Sequence, residues 1–478
     1  MKRLVIIGGG FCGCITAVNL MRLCHKPVRI TIVNSGNPAC RGIAYNGRQR
    51  NHLLNVAAKN MSALADQPQH FVEWLRESSE YRDQPLHSIR ELFVTRQTYG
   101  DYLQSLFDWH VKNVAQPKGI QVEWIAEEVT DARVVGREFW LAIGSREVAA
   151  DKIVLALGNF APTPFRLSGL NVRDPRYIGD PWGDWVAQLP SLDQDILLIG
   201  SGLTMIDVFF TLRDLPWTGK IHAVSRSGLL PLPHFTGPEY PDFTDMEAAN
   251  LTLRQIVSLF HRHYRLARSR NINPAILVDK LRTMTQRLWQ RFTVKEKRQF
   301  CRHLRSRWNA TRHRVSTEAH RQVQEAISSG RLELIKGRLR HCAETDDGLR
   351  FSIEGGRTAF ITASAVINCT GPRETCFPSD RPLLNRLEAQ GLVQPDELNM
   401  GIRVTEDFSV IDREGHGSES LFAVGPLLRG TLWETTAVPE LRSQTFRLAR
   451  TIAEQLDLGQ PDKFVFAETI ENVMEHSI

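Results

Sequence analysis

Short apolar runs, each followed at once by glycine, recur along the chain. The first, Arg3 to Ile7, gives way to Gly8-Gly9-Gly10 and then to a mixed stretch from Phe11 to Leu23. A second run, VRITIVN, ends at Asn34. A strand buried on both faces reads as an unbroken apolar run, so the order is strand, glycine turn, helix, strand, which opens a parallel sheet. The same order returns in DILLIGSGLTMIDVFFTL, where a strand from Asp195 to Ile199 turns at Gly200 and Gly202 into a helix, and KIHAVSR supplies the next strand. Each unit is closed alike. Residues 119–159 and 330–372 both read as a strand, a hairpin-like excursion and a final apolar strand ending in glycine, Gly158 and Gly371. The chain is therefore an internal duplication.

The glycine spacing gives the duplication a chemistry. In Gly8-x-Gly10-x-x-Gly13 the first glycine permits a tight turn, the second lets the backbone approach a pyrophosphate, and the third lets helix and strand pack closely. The helix start then presents free N–H groups and a partial positive charge to the phosphates. Asn34 stands where a ribose-binding acid is usual, and its neutral amide still bonds a hydroxyl. In the second unit Met205 replaces the third glycine, so that helix is expected to sit further from its strand. Gly200 to Arg226 spans the same interval as Gly8 to Asn34, which puts Ser225 and Arg226 at the ribose position. An arginine there accommodates a 2′-phosphate, favouring NADPH over NADH; a solvated surface arginine is the alternative. The expected class is α/β, with two Rossmann-like dinucleotide-binding domains.

Composition narrows the setting. The chain has 478 residues, 42% hydrophobic and 23% charged, and no apolar window long enough to span a bilayer. A cytoplasmic location is expected, because the apolar run after Lys2 and Arg3 is broken by glycines and has no cleavage site. Eight cysteines with no C-x-x-C pair and no zinc spacing argue against a disulfide scaffold or a metal. Cys12 and Cys14 read as small filler beside the glycine loop, with a reactive Cys12 at the helix start as the competing reading. His52, His234 and His313 read as structural, and no residue pair identifies a general acid or base.

Between Leu251 and Glu325 there are 18 Lys or Arg against 4 acids, whereas the whole chain carries only +6. Helical periodicity there, with Trp289, Phe292, Phe300 and Trp308 as anchors, predicts a basic helical insertion. A solvated helical face, a funnel for an anionic ligand and a nucleic-acid footprint are the three readings. The absence of a nucleic-acid-binding motif argues against the last. Arg312, His313 and Arg314 are placed either at an interdomain cleft or on the surface.

Several stretches resemble the bacterial FAD-NAD(P)-binding flavoproteins related to flavin-dependent N-hydroxylases and FAD-dependent urate hydroxylases. They are RGIAYNGRQRNHLLNVAAKNMSALADQPQHFVEWL from Arg41, TRQTYGDYL from Thr95, SRSGLLPLP from Ser225, RHRVS from Arg312 and LFAVGPLLRGTLWETTAVPELRSQ from Leu421. The resemblance implies FAD in the first unit and NADPH or NADH in the second. It implies FAD contacts by Arg96, flavin neighbours Asn55, Met61 and Ser62, and a helix start near Thr435, Thr436 and Val438 facing the flavin, with Gly425 close by. The implied domains are 1–165 and 345–478 for FAD, and 166–344 for NAD(P)H with the basic insertion at 245–325. The implied activity is hydroxylation of a small molecule with molecular oxygen, through a flavin hydroperoxide. A non-oxygenating NAD(P)H-dependent reductase or redox-binding protein is the alternative, and an RNA-modifying flavoprotein a third; no membrane partner is expected. Two departures stand out: Gly425-Pro426 replaces the usual Gly-Asp, and the link from Tyr177 to Trp185 lacks the histidine of the Baeyer-Villiger fingerprint.

Overall fold

The computed structural model describes residues 1–36, 38–46, 52–136, 138–235, 237, 240–243 and 251–458. The expected start of the basic insertion at 245, residues 47–51 of the stretch from Arg41, and the expected FAD-domain residues from 459 onward lie outside the described residues.

The first unit begins with β1 (Lys2–Ile7), α1 (Phe11–Leu23) and β2 (Val28–Val33). Helices α2 (His70–Glu77), α3 (Leu86–Glu91) and α4 (Arg96–His110) lead to β3 (Gln121–Ile125). An antiparallel ribbon, β4 (Val129–Val135), β5 (Glu138–Ile143) and β6 (Arg146–Ala150), precedes β7 (Lys152–Leu155). The second unit carries β8 (Tyr177–Ile178), β9 (Ile196–Ile199), α5 (Leu203–Asp214) and β10 (Ile221–Ser225). Helices α6 (Leu253–Ser269), α7 (Ile276–Arg282), α8 (Thr285–Arg291), α9 (Val294–His303) and α10 (Arg305–Arg312) form the insertion, followed by α11 (Thr317–Ser328) and β11 (Leu332–Lys336). A second ribbon, β12 (Arg338–Thr345), β13 (Gly348–Glu354) and β14 (Phe360–Ala363), precedes β15 (Ala365–Asn368). The chain returns through α12 (Pro382–Ala389), β16 (Ser409–Ile411), β17 (Gly417–Ala423) and α13 (Val438–Gln455).

These strands make two principal sheets, ordered β16-β17-β7-β1-β2-β3 and β11-β10-β9-β15-β8. The order explains the apolar runs. In β9, Ile196 and Leu198 pack with Met205 and Phe209 of α5, while Leu197 and Ile199 pack with Phe351 and Ile361 of the ribbon. Both faces are covered, so no position is free to be polar.

The topology corrects two expected boundaries. β15 pairs with β9 and β8, so residues 345–371 belong with the second sheet, and the chain crosses back only after Gly371 rather than at 345. α11 buries Ala319, Val323 and Ala326 in the core of the second sheet, so it is a crossover helix and not part of the insertion. The insertion instead leaves and re-enters the unit where Pro233 bridges Val315.

The third glycine sets the closest approach of α1 to β1. A Cβ on Gly13 would overlap the carbonyl oxygen of Gly8, whereas one on Gly202 would meet nothing within 4 Å. Gly13→Ala is therefore expected to lower the urea midpoint by an amount equivalent to about 1–3 kcal/mol, and Gly202→Ala to leave it nearly unchanged. Equal shifts in the two variants would show that close packing is not what the third glycine provides.

Candidate functional site

The two glycine turns are built by the same bonds. The Gly8 N–H donates to Val33 O and the Gly200 N–H to Val224 O, both at 2.8 Å. Both glycines have positive φ, 109° and 121°. A Cβ at Gly8 would strike Ala156 O, and one at Gly200 would lie 2.5 Å from Cys369 O. No other residue type fits where the first strand, the closing strand and the helix start converge.

A cavity of about 380 Å³ opens at the carboxyl ends of the first sheet. Gly8, Gly10, Asn34, Arg96, Gly158 and Thr436 all line it, which brings together expected residues from five separate stretches of sequence. Gly10 caps α1, whose first turn carries no acidic residue to occupy the free N–H groups. The Asn34 Oδ1 accepts the Gly9 N–H at 3.0 Å and so holds the loop. A side chain on Gly9 would collide with the Trp124 ring, which explains a third glycine in a row.

Other expected residues stand behind the wall. Gly425 has a φ of 87°, and a Cβ there would sit 2.7 Å from Cys12 Sγ. Thr435 is buried and hydrogen-bonded to Gly425 O (3.1 Å) and Gln444 Oε1 (2.9 Å). Pro426, at the position of the missing carboxylate, does line the cavity. Asn55, Met61 and Ser62 are outside its lining. Asn55 O instead accepts from His234 Nε2 at 2.9 Å, and Ser62 Oγ donates to Gln67 O at 2.6 Å.

Sequence reasoning missed three contributors. Trp182 and Arg381 line the cavity, and Arg381 donates to Leu157 O (2.5 Å) and Asn159 O (2.9 Å) at the end of β7. Asp207, on α5 of the second unit, pairs with Arg96 at 2.8 Å. The stretch from Tyr177 to Trp185 lacks a histidine and instead contributes Trp182 to the cavity.

At the second turn Gly202 caps α5, and Gly371, three residues beyond the closing strand, has a φ of 89°. Ser225 Oγ lies 2.8 Å from Ser201 Oγ and accepts the Gly228 N–H at 3.0 Å, so it shapes the turn. Arg226 is exposed and has no hydrogen-bond or ion-pair partner among the described residues. It remains available to an anion.

The cysteines do not supply a thiol centre. All eight are free, and all but Cys301 are buried. Burial pushes the Cys12 thiol up to about 12, against the lowering expected at a helix start, while Cys14 Sγ donates to Gly9 O at 3.3 Å.

Much of the insertion's charge is spent within the fold. Arg282 pairs with Glu440 at 2.7 Å, Arg312 with Glu434 at 3.3 Å, and Arg314 with Asp279 at 2.9 Å. Trp289 stacks on Trp433 with ring centres 4.6 Å apart and donates to Gly430 O, while Trp308 Nε1 donates to Glu434 at 2.6 Å. The insertion thus clamps the turn that precedes α13. Arg314 is buried and the Arg312 side chain is only 10% exposed, which argues against the surface placement for these two. Arg262, Arg265, Arg268 and Arg270 of the α6 region remain exposed.

Residues 5–160 match the model of the FAD-NAD(P)-binding family. No curated protein matches the chain. Among solved structures, the reduced form of ornithine hydroxylase PvdA from Pseudomonas aeruginosa superposes with a TM-score of 0.61 at 15% identity, covering 95% of this chain and 100% of that one. Ornithine N-hydroxylase KtzI from Kutzneria sp. 744, with reduced FAD, NADP+ and L-ornithine, gives 0.62 at 16%, covering 95% and 99%. The bacillithiol disulfide reductase Bdr from Bacillus cereus gives 0.52 at 15%, covering 95% and 99%. At these identities the likeness is one of fold alone, two sheet-and-helix units in one chain. No described helix is long and apolar enough to cross a membrane.

His52 and His234 join the units, through Thr211 Oγ1 at 2.9 Å and Asn55 O. Burial lowers both of their pKa values below 6.5. The unfolded chain therefore takes up these protons first, so the stability they allow is present above pH 6.5 and falls as the pH drops below it. Urea midpoints measured from pH 7.5 to 5 should decline below pH 6.5, and His234→Gln, which keeps a donor for Asn55 O, should flatten part of that decline. An unchanged pH dependence in the variant would remove His234 from the linkage.

Proposed function

We propose that the chain is an FAD-dependent NAD(P)H oxidoreductase that hydroxylates a small molecule, with FAD in the cavity of the first sheet and NADPH at the Gly200 turn. The observation that carries this reading is the cavity itself. It ends on an uncapped helix start, and its floor is Gly10, where a Cβ would project 3.4 Å from Gly42 Cα. That is the form of a pyrophosphate cradle: backbone donors, a positive helix end and no side chain in the way.

Bound there, FAD supplies the redox chemistry, taking reducing equivalents from NAD(P)H and delivering them to oxygen. The protein's residues bind and orient. Gly10 and the first turn of α1 hold the pyrophosphate, with Asn34 and Ser35 beside the ribose end of the cavity. Thr436, two residues before α13, lies in the wall, so the positive end of that helix is close enough to favour negative charge on the cofactor. Arg96 places a guanidinium at the same wall. Pro426 offers no side-chain bond where related flavoproteins carry a carboxylate, which leaves that stretch of cofactor to backbone groups. At the second turn, exposed Arg226 suits a 2′-phosphate.

Small amines are the first substrates to try, since the fold neighbours include hydroxylases of ornithine and a lysine 6-monooxygenase. The decisive measurement is the ratio of hydrogen peroxide released to NADPH oxidised, with and without each amine. A hydroxylase lowers that ratio in the presence of its substrate and yields a hydroxylated product. Full peroxide release with every compound supports the non-oxygenating reductase instead.

The purified protein is expected to be yellow, and Gly10→Val to be folded and colourless; a variant that retains its flavin would displace FAD from the cavity. Arg226→Ala should raise KM for NADPH by a factor equivalent to about 1.5–3 kcal/mol and leave KM for NADH nearly unchanged. Equal effects on both nucleotides would take Arg226 out of the phosphate site.

A further inference from the structure

The first helix of the second unit, α5, also contacts a residue that lines the first cavity. α5 starts at Gly202, and little more than one turn later Asp207 accepts a hydrogen bond from Arg96 Nη2 at 2.8 Å. The pair is largely withdrawn from water, with side-chain exposures of 16% and 12%. Two further contacts fix the guanidinium: Nε donates to Leu53 O at 3.3 Å, and its carbon lies 5.1 Å from the centre of the Trp182 ring. Arg96 and Trp182 line the cavity; Asp207 does not. The Nη1 donors have no protein acceptor among the described residues.

The geometry points to Asp207 as a positioning residue that holds Arg96 for the cofactor of the first cavity and couples that cavity to the nucleotide site at the start of its own helix. An arginine without a carboxylate partner has several rotamers and would follow the nearest anion. Paired to Asp207 and stacked on Trp182, it keeps one, with Nη1 left for an acceptor in the cavity. Because Asp207 rides on α5, a nucleotide that binds the N-terminus of α5 acts on the helix that holds Arg96. Linkage makes the effect mutual: whatever binding at one site does to the affinity of the other is returned in equal measure. The inference rests on the reading that FAD fills the first cavity.

The test uses the full-length protein and three variants. In the wild type, NADP+, which cannot reduce the flavin, should perturb the FAD absorption spectrum. Asp207→Asn removes the charge and keeps the shape; it should weaken FAD binding about tenfold, shift the flavin midpoint potential and abolish the NADP+ difference spectrum. Asp207→Glu should restore the difference spectrum in part. Thr211→Val, which breaks the neighbouring His52 contact on the same helix, should alter none of the three.

Unchanged FAD affinity and NADP+ response in Asp207→Asn would overturn the inference. So would identical losses in Asp207→Asn and Thr211→Val, which would mean general loosening between the units. If Asp207→Asn fails to fold, Asp207→Ser, which also removes the carboxylate, decides: a wild-type difference spectrum and FAD affinity there overturn the proposal, and a lost spectrum with weaker FAD binding supports it. A wild-type protein that binds no FAD instead refutes the cavity assignment, and that is seen before any variant is made.

Discussion

Both halves of this molecule depend on a steric exclusion: three backbone segments meet at a point where no side chain fits. At Gly8 the closing strand passes so near that a Cβ would strike Ala156 O, and at Gly200 the same is true of Cys369 O. The convergence frees the first N–H groups of α1 from any side-chain cap and points the helix end at the open carboxyl edge of the sheet. The cavity, its electrostatics and the register of β1 between β2 and β7 all follow from that meeting. Remove the allowance for positive φ and the strand cannot turn into the helix at all.

The basic insertion has a structural task that its charge count alone conceals. Its arginines neutralise two carboxylates, Glu434 and Glu440, that flank the start of α13, and its Trp289 grips the backbone at Gly430 and the side chain of Trp433. Glu434 holds a φ of 67°, a conformation few non-glycine residues adopt, with Trp308 hydrogen-bonded to its carboxylate and Arg312 ion-paired beside it. The wall of the first cavity at Thr436 is thus set by helices that enter the chain from within the second unit. Charge not used in this way, on α6 and on exposed positions of α9 and α10 such as Arg298, Arg302 and Arg307, is turned to solvent, where it contributes a field rather than contacts.

The parts legible in the sequence were those governed by local rules. Apolar runs bounded by glycine marked both sheets, because a strand covered on two faces leaves no polar position, and the hairpin excursions declared themselves by alternation. The glycine turns and their helix starts carried the cofactor reading by spacing alone. What stayed hidden was set by contacts between distant segments. The bond from Arg96 to Asp207 joins residues on α4 and α5, and nothing near either one announces the other. Arg381 reaches the cavity to satisfy Leu157 O and Asn159 O, a backbone need visible only once β7 has an end to reach. The boundary at 345 was misplaced for a related reason: a duplicated unit was recognised by its closing strand, yet the segment leading to that strand was assigned elsewhere. Asn55, Met61 and Ser62 came from resemblance, and the cavity wall is built without them.

The interrupted course of the first sheet has a consequence for how the protein is made. β7 and β1 come early, but the neighbour of β7 on its other side is β17, paired as Ile153 to Leu421, and the whole second unit is translated in between. A ribosome therefore releases a complete second unit, from β8 to β15, while the first still exposes one edge of its sheet and the flank of α1 that α13 later covers. Until those segments emerge, the unpaired edge of β7 is a template for any passing strand. The insertion of one unit within the other thus fixes a birth order, in which the later-starting half is finished first.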